Sequence, residues 1–404
     1  MGKKRSVKSK FKSVVIATFS AWKNGQRAPT NGMIEPLLSY FGDKTDEIIL
    51  IDSPHPGSSD DIIPKIQTLK NNKLVKQTKP LLIPPLFILN KFNTAIKTQP
   101  AFKIRDFTTV FQVLLSKKTK TDLFIGLESI NTIVGIIFKK LGKVKTVIYY
   151  VSDYSPNRYS SKLFNNIYLF LDRFCAKNAD YIWDVSPAMM PARIKNGLSK
   201  NDAKPCIHVP NALFPHQIRH LTIGKLEPYS LAFAGTIGPE NGLDLAIEAL
   251  AIAKKQIPEL KLYILGGGVK EEEKKVDILI TKLKLEKSVK NFGFISDLNL
   301  LSDILTKYMV GLAPYKYIES SVRLYADATK IRLYFANGLP VITTDIPPLA
   351  KEVKQKGCGI VVKDKKEELA KAIVEMLSDK NKYLKYRDAA IKFAQNNTWE
   401  NTYS

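Results

Sequence analysis

Short apolar runs alternate with amphipathic stretches along most of this chain. The clearest case is Leu231-Ala-Phe-Ala-Gly235-Thr-Ile-Gly238-Pro-Glu-Asn241-Gly242, an apolar run that turns through glycine into the helix-like Leu243-Asp-Leu-Ala-Ile-Glu-Ala-Leu250. Runs rich in Val, Ile and aromatics that end in turn residues predict strands at Ser230–Gly235, Leu260–Gly266, Val289–Gly293, Met309–Pro314, Pro340–Thr344 and Gly359–Val362. The first half shows the same rhythm, with strands predicted at Ser13–Phe19, Glu47–Asp52, Asp122–Gly126, Lys145–Val151 and Tyr181–Val185. Apolar positions spaced at 3.6 residues predict helices over Arg105–Leu115, Ser129–Leu141 and Lys162–Lys177. Strands that alternate with helices imply parallel sheets covered on both faces.

The rhythm breaks at His208-Val-Pro210-Asn211-Ala-Leu-Phe-Pro215, where two prolines and an asparagine interrupt it. The expected organisation is α/β: a Rossmann-like doubly wound domain over residues 1–210, a linker over 211–228, a second such domain over 229–379, and a terminal helix over 380–404. Two domains of this kind in tandem are expected to face a cleft, because open α/β sheets bind ligands beyond the carboxyl ends of their strands.

Composition narrows the function. Of 404 residues, 45% are hydrophobic and 25% charged, the balance of a globular chain rather than a disordered one. No run approaches the roughly 20 apolar residues that span a bilayer. Cys175, Cys206 and Cys358 form neither a disulfide framework nor a metal-ligand spacing, and the four histidines show no metal pattern, so no metal site is expected. The net charge of +24 is concentrated: residues 1–210 hold 33 Lys and Arg against 15 Asp and Glu, or +18. Such an excess calls for an anionic partner. Neither a zinc-finger spacing nor an RNA-binding aromatic motif is present, which argues against nucleic acid. An anionic membrane surface fits better, since Pro80-Leu-Leu-Ile-Pro-Pro-Leu-Phe-Ile-Leu89 is apolar and flanked by Lys76, Lys79, Lys91 and Lys97. A buried loop is the alternative for that segment. The expected location is cytoplasmic, peripheral at the inner face of the membrane.

A strand that turns through glycine into a helix start aims backbone N–H groups at one point and suits a phosphate or diphosphate. In the first half, Asn24-Gly25-Gln-Arg27-Ala-Pro29-Thr30-Asn31-Gly32 follows the first strand and is a candidate loop for phosphate or acceptor. Asp153, in Val151-Ser-Asp153-Tyr-Ser-Pro156, ends a strand and is a candidate to orient an acceptor hydroxyl or take its proton. His55 and Glu128, each after a strand, are further candidates at the same edge. The Gly266-Gly-Gly268 run lacks the spacing of a dinucleotide fingerprint.

The second half resembles the GT-B fold retaining glycosyltransferases of the family-4, or group 1, type. Four segments carry the likeness: Phe233-Ala-Gly235 through Asp244, Asn291-Phe-Gly293-Phe294-Ile-Ser-Asp297, Ala326-Asp327-Ala-Thr329-Lys330 with Gly338-Leu-Pro340, and Val209-Pro210-Asn211. The likeness runs through about residues 205–395, and the tail resembles the helix that crosses back onto the first domain. It implies a nucleotide-sugar donor site made of Gly235, Thr236, Gly238, Asn241, Phe294, Asp327, Thr329 and Lys330, with Lys330 stabilising the departing diphosphate and no metal or other cofactor required.

The chain departs from the family pattern where Thr236 and Asn241 stand in place of basic residues, and where Tyr325 and Leu333 stand in place of two glutamates. Two functions follow. One is transfer of a hexose from a nucleotide-diphosphate sugar to a lipid-linked or glycan acceptor hydroxyl with retention, in cell-surface polysaccharide or glycolipid synthesis. The other is a GT-B-like sugar-nucleotide or glycan binding protein that has lost turnover.

Overall fold

The structure is a computed structural model that describes residues 11–28, 32–55, 59–83 and 99–404. The chain divides into two compact units, residues 1–185 with 190–209, and residues 186–189 with 210–404.

The first unit is built on a sheet of β1 (Phe11–Lys23), β2 (Gln26–Ala28), β3 (Thr45–Pro54), β4 (Lys65–Lys70), β5 (Lys73–Thr78), β6 (Thr121–Leu127), β7 (Val144–Val151), β8 (Tyr181–Asp184) and β9 (Cys206–His208). Its order is β5-β4-β3-β1-β6-β7-β8-β9, with β2 paired to β1. Helices α1 (Ile34–Gly42), α2 (Gln99–Ser116), α3 (Glu128–Lys140), α4 (Lys162–Asn178) and α5 (Met189–Lys195) follow the strands. The run from β3 to β9 is parallel, and Val14–Ala17, Phe124, Ile125 and Val147 are fully buried at its centre.

Two hairpins correct the expectation of a purely parallel sheet. β4 and β5 pair antiparallel around Asn71-Asn72, both at positive φ (+49° and +60°), as a two-residue hairpin turn requires. β1 runs on past Phe19 and folds back through Asn24-Gly25 onto β2, so Arg27 lies on a strand opposite Trp22 rather than in a loop that opens a helix.

The second unit is wholly parallel. Its strands β10 (Ser230–Ala234), β11 (Lys261–Leu265), β12 (Val289–Asn291), β13 (Val310–Ala313), β14 (Val341–Thr344) and β15 (Gly359–Val362) lie in the order β12-β11-β10-β13-β14-β15. The helices are α6 (Leu243–Ala253), α7 (Lys270–Lys282), α8 (Leu298–Leu305), α9 (Thr329–Ala336), α10 (Ala350–Lys356), α11 (Lys366–Ser378), α12 (Lys380–Asn396) and α13 (Trp399–Tyr403). The strand order reverses direction between β10 and β13, which is the dinucleotide-fold arrangement with its switch point there. Apolar side chains fill both faces, Leu231, Phe233 and Leu250 on one and Ile331, Tyr334 and Phe335 on the other. α12 packs on the second face through Phe393 against Phe335.

Candidate functional site

The carboxyl ends of β10 and β13 come together at the switch point, and their backbones are locked there by close contact. Gly235 N–H donates to Leu265 O and Ile237 N–H to Gly267 O, so the turn after β10 runs alongside the turn after β11. A Cβ on Gly266 would lie 1.8 Å from Gly235 O, which explains the Gly266–Gly268 run as room for a neighbouring backbone. Gly242, at φ +68°, stands just before α6, and a Cβ there would lie 1.8 Å from Pro314 O beyond β13. The Tyr334 hydroxyl ties the two central strands, accepting from Ala234 N–H (2.7 Å) and donating to Leu312 O (2.9 Å).

Lys330 occupies this junction. It lies in the first turn of α9, with its Nζ 3.9 Å from the Phe233 ring centroid and 5.3 Å from that of Tyr315. A Cβ on Gly235 would sit 3.1 Å from Lys330 Cε. The Nζ is enclosed and, among the described residues, has no hydrogen-bond partner. Burial, with the Arg323 cation adding to it and Glu240 opposing, pulls its pKa down to about 7. Thr329, the first residue of α9, is exposed.

Sequence reasoning missed Arg323. Its guanidinium pairs with Glu240 (3.4 Å), which also accepts from Ser321 Oγ (2.5 Å). A second cation therefore stands near Lys330, in a unit whose Thr236 and Asn241 carry no charge. Nothing in the spacing of Ser321-Val-Arg323 marks it; the fold brings it in through Glu240.

The remaining candidates of this unit are spread around the same strand ends. Thr236 is exposed, Gly238 half-buried and Asn241 buried, in a short 3₁₀ turn that delays the start of α6 to Leu243. Phe294 is 77% exposed, with its Cβ against Gly267. Asp327 is engaged internally: its carboxylate takes Arg332 Nε and Nη2 (2.8 and 3.0 Å) and the Asn211 N–H (3.0 Å).

In the first unit the candidates fall into two groups. Glu128 follows β6 at φ +63°, a left-handed conformation that strains a residue with a side chain. Its Oε1 accepts from Ser152 N–H (3.1 Å), Ser152 Oγ (2.8 Å) and Asp153 N–H (3.4 Å), and Arg158 Nη1 donates to Asp153 O (2.7 Å). Burial raises the Glu128 pKa; Asp153 adds to this, while Arg158 and Ser152 oppose it. The structure thus brings Glu128 and Asp153 together.

Arg27 is held elsewhere, by Asp52 (2.9 Å), Glu35 (3.2 Å) and Gln67 (3.0 Å). Asp52 itself is fully buried and also takes Ser20 Oγ and Trp22 Nε1. His55 follows β3, with its ring 5.8 Å from that of Phe19. Gly32 precedes α1, whereas Thr30 and Asn31 lie outside the described residues. So does Pro84–Leu89 of the apolar segment, of which Leu81 and Leu82 are exposed. Among the described residues no helix is long and apolar enough to cross a membrane.

Residues 222–393 match the family described as Glycosyl transferases group 1. Poly(glycerol-phosphate) alpha-glucosyltransferase of Bacillus subtilis is 26% identical over 171 residues, which cover 42% of this chain and 24% of that protein. The chain thus spans about a quarter of the length of this curated relative. Among solved structures, sucrose-phosphate synthase from Thermosynechococcus elongatus superposes with a TM-score of 0.71 at 15% identity, over 97% of this chain and 96% of the other. Anabaena HepE in complex with UDP gives 0.65 at 15% identity, over 97% of each chain. The fold is GT-B, with two Rossmann-like units, and the resemblance to group 1 glycosyltransferases holds, carried by the second unit.

Proposed function

We propose that the chain is a glycosyltransferase that moves a hexose from a nucleotide-diphosphate sugar to a hydroxyl of a lipid-linked or glycan acceptor, with retention, in cell-surface polysaccharide or glycolipid synthesis. The observation that carries this reading is the Lys330 amine, enclosed at the switch point of the second unit without a hydrogen-bond partner among the described residues. A buried ammonium with no counter-ion is costly, and a bound diphosphate supplies one. Backbone N–H groups of the turn after β10 and the start of α9 add partial positive charge toward the same point.

On this reading the sugar-diphosphate bond breaks as charge grows on the diphosphate oxygens. Lys330, aided by Arg323 and Thr329, stabilises that charge without a metal. Gly235, Thr236, Gly238 and Asn241 shape the phosphate turn, and Phe294 offers an exposed ring to the base. Asp327 acts through structure, fixing Arg332 and the segment at Asn211. In the first unit Asp153 and Glu128 orient the acceptor hydroxyl. The protein works in the cytoplasm at an anionic membrane face, in keeping with the charge of its first unit. UDP is the first nucleotide to test, since HepE is held with it.

The test is thermal-shift binding of UDP, GDP, ADP, TDP and CMP to the protein and to Lys330→Met. A ligand at 100 times its Kd stabilises by about 3 kcal/mol. A shift with one nucleoside diphosphate that is lost in the variant supports the reading, and no shift with any overturns it. Binding without turnover of the matching nucleotide sugar would select the second reading, a protein that binds but no longer transfers, which the absence of glutamate at positions 325 and 333 favours.

A further inference from the structure

Helix α4 carries an apolar face that the described residues leave exposed. Leu163, Ile167, Phe170 and Phe174 follow one another at helical spacing, with Phe164 and Leu171 beside them on the same side. Of these, Leu163 is 67% exposed, Phe164 49%, Ile167 45% and Phe170 61%. The helix cannot roll to bury them. Its other side holds Tyr168, Asp172, Cys175 and Ala176 in the interior, and Asp172 is pinned there by Tyr149 Oη (2.7 Å) and Arg193 (3.0 Å), itself fully buried. A run of large exposed side chains on one helix face is beyond the scattered apolar residues of an ordinary surface.

The flank of this face is basic. Lys162, Arg173 and Lys177 line one edge by helical position, Arg173 donating to Asn196 O (2.9 Å) and Lys177 pairing with Asp202 (2.7 Å), and the Lys140 amine reaches over the Phe174 ring at 5.9 Å. The sequence of this unit carries most of the chain's excess positive charge. Apolar rings beside fixed cations complement one kind of surface, in which hydrocarbon lies just beneath anionic headgroups. We propose that the exposed face of α4 docks the protein on an anionic lipid bilayer, with Leu163, Phe164, Ile167 and Phe170 entering the headgroup layer and Lys162 and Lys140 meeting phosphate. α4 is reached from the loop after β7 that holds Ser152, Asp153 and Arg158, so docking brings the membrane to the residues assigned above to a lipid-linked acceptor. The proposal rests on the membrane reading of the function and is independent of the donor chemistry.

Flotation with phosphatidylcholine vesicles, with and without phosphatidylglycerol, tests it, comparing the protein with Phe164→Asp/Phe170→Asp. Both positions are exposed, so the variant should melt like the parent and keep its nucleotide shift. The expected result is binding to the anionic vesicles that weakens with salt and falls about tenfold or more in the variant. A Phe170→Trp variant should also be quenched by brominated lipid. Undiminished binding by the double variant would overturn the role of α4 while leaving membrane association standing. If neither protein floats, both the proposal and the membrane reading fall. Loss of self-association in the variant, seen by sedimentation with no change in vesicle binding, would assign the face to a second copy of the chain and overturn the proposal.

Discussion

Replacing Lys330 by Met should make the ligand-free protein more stable. The amine lies against Phe233 and has no hydrogen-bond partner among the described residues, and its pKa falls from the ordinary 10.5 to about 7. Each pKa unit corresponds to about 1.4 kcal/mol, so holding this group in the folded state costs roughly 3–5 kcal/mol at neutral pH. Because the folded pKa lies below the unfolded one, the cost is fully present below about pH 7. It shrinks as pH rises and vanishes near 10.5, where the unfolded chain also gives up the proton.

Methionine keeps the stem packed on Phe233 and removes the ionisable group. At 2–4 °C per kcal/mol for a unit of this size, the melting temperature at pH 7 should rise on the order of 10 °C, and the gain should fade toward pH 10. Denaturant melts of the two proteins from pH 6 to pH 10 read this directly. Calorimetry adds a second test: at pH 8.5 the free amine is mostly neutral, so a nucleoside diphosphate that restores the ammonium should take up close to one proton. That uptake appears as a buffer-dependent heat and is absent in the variant. A Lys330→Met protein that melts below the parent at pH 7 would refute the reasoning, because the amine would then be a structural contact and not a held charge.

Asp327→Asn should lower stability by about 3–5 kcal/mol, since it leaves the buried Arg332 guanidinium without its carboxylate; urea denaturation checks this, and a normal melt with weakened nucleotide binding would make Asp327 a ligand residue instead. Tyr334→Phe should cost about 2–3 kcal/mol, because Ala234 N–H and Leu312 O both lose their buried partner, again read by denaturant melts. Glu128→Gln should fold, and stability relative to the parent should improve as pH rises above the ordinary carboxylate range. The folded pKa of Glu128 is raised by burial, so folding works against its charged form and the glutamine variant is spared that cost. If Glu128 orients the acceptor, turnover should drop in this variant while donor binding, measured by calorimetry, is unchanged.

The inner strands β10, β13 and β14 are legible in the sequence because parallel strands buried on both faces read as unbroken apolar runs, and the edge strand expected at Gly359–Val362 matches β15 at both ends. The hairpin of β4 and β5 is not read that way. β5 is exposed along its whole length, and its lysines break the apolar signal, so only the Asn71-Asn72 turn pair betrays it. The first glycine segment misleads for a related reason: Asn24-Gly25 resembles a phosphate loop but serves β1 and β2 as a hairpin turn. At the candidate donor site, the position of Lys330 at a helix start can be expected from Thr329-Lys330 and the turn that precedes them. Its isolation cannot, because that depends on Phe233 and Tyr315, distant in sequence. Nor can the pairing of Asp327 with Arg332, which depends on how the start of α9 is wound.

The hydrogen bonds near Leu213 have a bearing on how this unit can be handled. Leu213 N–H donates to Asn397 O and Trp399 N–H to Leu213 O, each at 3.1 Å, and Arg332 Nη1 reaches the Asn397 side chain at 3.1 Å. The stretch at Leu213 thus runs side by side with residues 397–399. Two stretches far apart in sequence that pair in this way act as a clasp: a nick in a surface loop between them should leave two fragments still joined through these bonds.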